Sequence, residues 1–125
     1  MTENEISKEI INSCYTIHSE LGPGLYENIY ENILAYELSN KGFDVKRQKP
    51  IPVIWQGMIF ENSFKADLII ENKVLIELKS IEALSKVHYK QVITYLKLTN
   101  IKLGLLINFN ESLLRDGVKR IVFGL

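Results

Sequence analysis

The sequence predicts a mixed α/β (α+β) fold, a central mixed β-sheet flanked by helices, and three observations predict it. Two amphipathic helical patterns open the chain, a run of strand-like segments follows, and a third helical pattern divides that run from two closing strands. No internal repeat, low-complexity tract or linker interrupts this order. A chain of 125 residues is an ordinary size for one unit, so residues 1–125 are expected to form a single domain with its own core.

The first helix is predicted over 5–21, where Ile6, Ile10, Cys14, Ile17 and Leu21 recur at helical spacing. Gly22, Pro23 and Gly24 break it. A second helical pattern runs from Leu25 to Asn40 through Ile29, Ile33 and Tyr36, and Gly42 suits its C-terminal stop. Strands are expected over 43–47 and 51–55, with Pro50 and Pro52 arguing for an edge position or an irregular start. Gly57 marks a turn, and Met58 to Glu61 leads into a hairpin formed by FKADLII and VLIELK. A third helix follows over 85–98, then a largely buried strand over 102–108 and a last strand over 118–123.

The hairpin carries the chemistry. If Glu71, Asn72 and Lys73 form its loop, Ile70 pairs with Val74 and Asp67 falls directly opposite Glu77. Strand alternation then puts Lys65, Asp67, Ile69, Leu75, Glu77 and Lys79 on one face. Ala66, Leu68, Ile70, Val74, Ile76 and Leu78 form a wholly apolar second face, which reads as core. A two-residue loop would instead set Asp67 against Leu78 and mix apolar with charged residues on both faces, so the pattern disfavours it.

Two like charges in direct cross-strand contact, with Cβ atoms roughly 4.5–5.5 Å apart, repel each other and need an offset. Mg²⁺ would supply it, since that ion is held by one or two carboxylates and keeps waters that a phosphate can displace. Lys79 would add positive charge beside it. The alternative is a solvated hairpin face whose acids are neutralised by Lys65 and Lys79.

Other polar residues could join this site. Glu27, Tyr30 and Glu31 share a face of the second helix. They read either as surface and packing residues or, with the hairpin, as the source of a third acidic group in Glu27. His88, Gln91 and Tyr95 form one stripe on the third helix, either an amphipathic boundary or a set of side chains that orient water, bind phosphate or fix Lys79.

Composition removes several classes. Fifteen basic residues balance fifteen acidic ones, so no overall field draws the chain to nucleic acid or an anionic membrane, although an acidic metal site would itself cancel part of a basic rim. With two histidines and one cysteine, a zinc site built from those residues is disfavoured, and no P-loop or GxGxxG element is present. No apolar run spans a membrane and no leader pattern opens the chain, so the expected location is the cytoplasm.

Asp67 followed by Glu77-Leu78-Lys79 on adjacent strands resembles the core signature of the PD-(D/E)XK phosphodiesterase superfamily. Gly24-Leu25-Tyr26-Glu27-Asn28-Ile29-Tyr30 is similar to the motif of its GxxExxY branch, and Gln91 with Tyr95 resembles the QxxxY element of lambda-exonuclease-like relatives. The likeness takes in the segment from Gly104 to Phe109 and runs from the first helix to Arg120. Ala66 departs from the pattern, standing where the proline of the superfamily's name would be. The resemblance implies a restriction-endonuclease-like core and a nuclease that hydrolyses nucleic acid, DNA first and RNA second, with Mg²⁺ or Mn²⁺. It implies Glu27, Asp67 and Glu77 as metal ligands, directly or through water, with the backbone carbonyl of Leu78. Lys79 would activate the attacking water, while Gln91 and Tyr95 support the site and the scissile phosphate. A catalytically silent accessory module is the alternative, and a homodimer would let so small a domain address two strands.

Overall fold

The computed structural model describes residues 1–125, apart from the side chains of Asn62 and Ser63. Its first helix, α1 (Glu3–Leu21), begins two residues before the apolar periodicity does. The reason is a capping box: the Thr2 hydroxyl accepts the Glu5 N–H at 3.2 Å, and the Glu5 carboxylate accepts the Thr2 N–H at 3.0 Å. α2 (Glu27–Asn40) follows the Gly-Pro-Gly break and starts at Glu27, after Leu25 and Tyr26 have served as an extended lead-in.

The five strands are β1 (Val45–Trp55), β2 (Met58–Ile70), β3 (Val74–Lys79), β4 (Leu103–Asn108) and β5 (Val118–Val122), and they lie in sequence order across one sheet. All neighbours are antiparallel except β3 and β4, which are parallel and joined through α3 (Lys86–Thr99). The sheet is therefore mixed, as expected. The two short strands expected over 43–47 and 51–55 are one continuous strand. Both Pro50 and Pro52 fit because β1 is a sheet edge, where a missing N–H costs no ladder bond, and a bulge between Ile51 and Val53 absorbs the irregularity. A 3₁₀ turn at Leu114–Gly117, which no periodicity announced, leads into β5.

β2 and β3 pair in the register of the three-residue loop, with Ile70 opposite Val74 and Leu68 opposite Ile76. Glu71 and Asn72 both take φ of 55°, and the Lys73 N–H donates to the Ile70 carbonyl at 3.0 Å. The expected apolar face packs against α1 and α2, with Leu68, Ile70, Val74, Ile76 and Leu78 meeting Ile6, Ile10, Cys14, Leu34 and Leu38. The opposite face is not the solvated one that charge alone suggested. α3 covers it, and Ile69, Leu75 and Leu106 are buried beneath Val92, Tyr95 and Leu96. A parallel β3–β4 pair requires a crossover, and the crossover helix lies on the sheet face that carries Glu77. Ala66 also departs from the expected face. It packs on the α3 side with Ile51 and Ile69, next to the point where the β1–β2 ladder is distorted at Gln48.

The close seat of α3 depends on Gly104 in β4. A Cβ there would lie 2.7 Å from Val92 Cγ1, inside the contact limit of carbon atoms. Among the described residues no helix is long and apolar enough to cross a membrane. Gly104→Ala should push α3 off the sheet and lower stability by about 1–3 kcal/mol in chemical denaturation. An unchanged denaturation midpoint would show that Val92 yields without cost.

Candidate active site

The site forms where β2 and β3 part. Backbone pairing between them runs from Ile70–Val74 to Leu68–Ile76, and at the next position side chains take over the ladder's amides. The Asp67 N–H donates to Glu77 Oε1 at 3.1 Å, and the Leu78 N–H donates to Asp67 Oδ2 at 2.9 Å. Each acid thus accepts an amide of the other's strand or its neighbour. The ladder ends one pair short of the expected direct Asp67–Glu77 pairing, yet the two carboxylates interact closely, and Leu78 enters the site through its backbone while its side chain lies in the α1/α2 core.

Both acids are poorly hydrated. Glu77 is only 7% exposed, and burial, reinforced by the neighbouring Asp67 carboxylate, pushes its carboxyl up to about 8. Burial also raises Asp67, opposed by the bonds from the Leu78 N–H and the Gln48 side chain. Lys79 lies on the same strand face, two residues past Glu77. Its charge favours the ionised form of both acids, though it forms no ion pair or hydrogen bond among the described residues. A cation is thus close to both carboxylates and committed to neither.

Glu27 reaches the same place from α2. As the first residue of that helix, it sits at the positive end of the dipole, and its Oε2 lies 3.4 Å from the Ser80 N–H, one residue beyond Lys79. Its negative charge acts to raise Asp67. The lead-in loop is latched by three bonds. The Tyr30 hydroxyl donates to the Gly22 carbonyl at 2.5 Å and accepts the Leu25 N–H at 3.2 Å, while Ser80 Oγ donates to the Leu25 carbonyl at 2.6 Å. Tyr30 is fully buried, with its ring stacked 4.3 Å from that of Phe109. Gly24 takes φ of 104°, open to glycine and strained for other residues.

α3 contributes unequally. Tyr95 is buried against Phe64, and burial, with the charges of Glu77 and Asp67 behind it, holds its phenol protonated. Gln91 lies one turn earlier on the exposed part of the helix. His88 serves the helix cap. Its Nδ1 accepts the Ser85 N–H at 3.0 Å and so closes the cap of α3.

Two residues take part that the sequence reading did not assign to the site. Glu31, noted only as a neighbour of Glu27, is 8% exposed, and its carboxylate is held by Arg47 at 3.0 Å. Gln48 was not singled out at all. Its side-chain amide touches both Glu31 and Asp67. The available signal was the pairing of 45–47 with 68–70, which sets position 48 beside Asp67.

Among the described residues no three His, Cys, Asp or Glu side chains converge on one point. Asp67 and Glu77 are the two carboxylates that lie together, with Glu27 beside them rather than packed onto them. Two carboxylate oxygen donors, one buried and one half-buried, suit a hard divalent cation better than a soft one.

No curated protein and no solved structure matches the chain. A family model does: residues 4–121 match that of the PD-(D/E)XK nuclease superfamily, and mixed-sheet topology and the paired acids with a following lysine agree with it. The chain belongs to the PD-(D/E)XK nuclease superfamily.

Proposed function

We propose that this protein is a divalent-metal-dependent phosphodiesterase that hydrolyses DNA, with Asp67 and Glu77 holding Mg²⁺ or Mn²⁺. Membership in a nuclease superfamily points to nucleic acid as substrate and to a divalent metal as cofactor. The observation that carries the reading is the contact of buried Glu77 with half-buried Asp67, an unfavourable pairing to which no cation is ion-paired among the described residues. The fold keeps it because a dication can bind between the two acids.

A bound dication supplies Lewis acidity toward the phosphate oxygens and lowers the pKa of its water. The other roles fall to this chain's own side chains. Asp67, Glu77 and the Leu78 carbonyl hold the ion. Glu27 acts directly or through water from the N-terminus of α2. Lys79, which forms no ion pair among the described residues, orients the attacking water and stabilises charge that builds on the phosphate. Tyr95 remains a neutral donor, able to hydrogen-bond a phosphate oxygen without repelling it. Gln91, exposed one turn away, lies where the nucleic acid would pass. The run Gly24 to Tyr30 supports assignment to the GxxExxY branch, since its glycine, glutamate and tyrosine each have a defined part in delivering Glu27.

Purified protein with Mg²⁺ should cleave labelled single-stranded, double-stranded or branched DNA, and Lys79→Ala or Asp67→Ala should each reduce the rate by about 10²-fold or more. Undiminished cleavage in both variants would identify a contaminant. Absence of cleavage alongside intact Mg²⁺ binding would favour a silent accessory module.

Metal affinity should also depend on pH with a defined sign. A carboxyl raised from its ordinary 4.5 to about 8 is mostly protonated at neutral pH, so binding must expel that proton. Calorimetric Mg²⁺ affinity is expected to rise up to about tenfold per pH unit from about pH 5 and to level off above about 8. Stability of the metal-free protein should move oppositely. The contribution of a carboxyl with a raised pKa is full below its ordinary pKa and lost as pH climbs through about 8. Metal affinity independent of pH over this range would mean that Glu77 is not a ligand.

A further inference from the structure

We infer that Gln48 is a positioning residue of the site: its side-chain amide holds Asp67 in its metal-facing orientation and is itself anchored by Glu31. The inference rests on the reading of Asp67 as a metal ligand.

The backbone marks the position. Of the five non-glycine residues with positive φ, Gln56, Glu71, Asn72 and Asn100 lie in turns or at a helix end, whereas Gln48 lies inside a strand at φ 47°. It falls between the Arg47–Leu68 and Lys49–Ala66 pairs, which sets it beside Asp67. A long side chain in the left-handed region is costly within a strand, and such outliers persist where their surroundings determine them.

Here the surroundings are two carboxylates. Gln48 Nε2 donates one hydrogen to Glu31 Oε1 at 2.6 Å and the other to Asp67 Oδ1 at 3.1 Å. The orientation of the amide follows from its partners, because a carbonyl oxygen could bond neither carboxylate. Glu31 cannot turn away. Its Oε2 is held by Arg47 Nη2 at 3.0 Å and Nε at 3.3 Å, and Arg47 also bonds Asn32. Asp67 is likewise held at both oxygens, by Gln48 on one and the Leu78 N–H on the other. Each oxygen keeps one lone pair for a cation.

The chemistry of the donor matters. An arginine or lysine at position 48 would hold Asp67 equally well but would neutralise it and compete with the metal. A neutral amide orients the carboxylate while leaving its charge available. The positive charge of this network, Arg47, is spent one step further back, on Glu31.

The test separates positioning from a simple stitch between α2 and the sheet. Gln48→Gly removes the side chain and suits the left-handed backbone, while Gln48→Ala removes it and keeps the strain. Mn²⁺ binding followed by electron paramagnetic resonance should weaken about 10–100-fold in both, as when outer-shell partners are lost. The melting temperature of Gln48→Gly should stay at or above that of Gln48→Ala. Wild-type affinity in both variants would overturn the inference.

A second measurement stands apart from the metal. In the wild-type protein both Gln48 side-chain amide protons should resonate downfield and exchange slowly in nitrogen-15 spectra, with Glu31→Ala releasing one and Asp67→Ala the other. If the wild-type protein binds no Mn²⁺, the metal reading of Asp67 and Glu77 fails. These protons then decide the positioning: both held supports it, and neither or only one held overturns it.

Discussion

Two carboxylates that ought to repel each other, Glu77 buried and Asp67 half-buried, lie together at the fork of β2 and β3, and much of the structure is arranged to tolerate that contact. The amides of Asp67 and Leu78, freed from the backbone ladder as the strands diverge, are turned onto the acids. α3 closes over Glu77 and raises its affinity for a proton. An acid pair of this kind adds nothing to stability. Its presence in so well-packed a sheet is what the proposed metal site accounts for.

The topology brings the remaining groups to the same place without long-range adjustment. The hairpin loop at 71–73 fixes the two acids relative to each other, and Lys79 follows because side chains alternate along β3. The parallel β3–β4 pair demands a crossover, and the crossover is the helix that presents Tyr95. Glu27 arrives from a distant segment. It is tied in by bonds from Ser80 to Leu25 and to its own carboxylate, so that α2 begins where β3 ends.

Much of this was legible in the sequence because it rests on short-range rules. The alternation of FKADLII and VLIELK, with a turn between them, is enough to oppose Asp67 and Glu77, and the period of the first 21 residues is enough for α1. What escaped depended on tertiary packing. Charge at Lys65, Asp67, Glu77 and Lys79 suggested an open face, but burial of Ile69 and Leu75 beneath α3 shows that apolar neighbours governed that surface. Pro50 and Pro52 suggested a break that an edge strand with a bulge accommodates. Gln48 was invisible because nothing local marks a glutamine whose meaning lies in two carboxylates on other elements. His88 shows the reverse, a residue whose helical stripe suggested chemistry and whose ring closes a cap.

The latch at Gly22–Leu25 gives the seven residues from Gly24 to Tyr30 a particular meaning. Gly24 bends the chain, Tyr30 clasps the bend from the core, and Glu27 is the cargo they deliver. Gly24, Leu25 and Tyr30 describe a joint, and Glu27 describes an acid. A chain recognised by this run is therefore recognised by its hinge fittings, and a relative could keep every one of them after losing Lys79. Inheritance of the joint and inheritance of the reaction are separable in such proteins, and Lys79 is the residue at which to tell them apart.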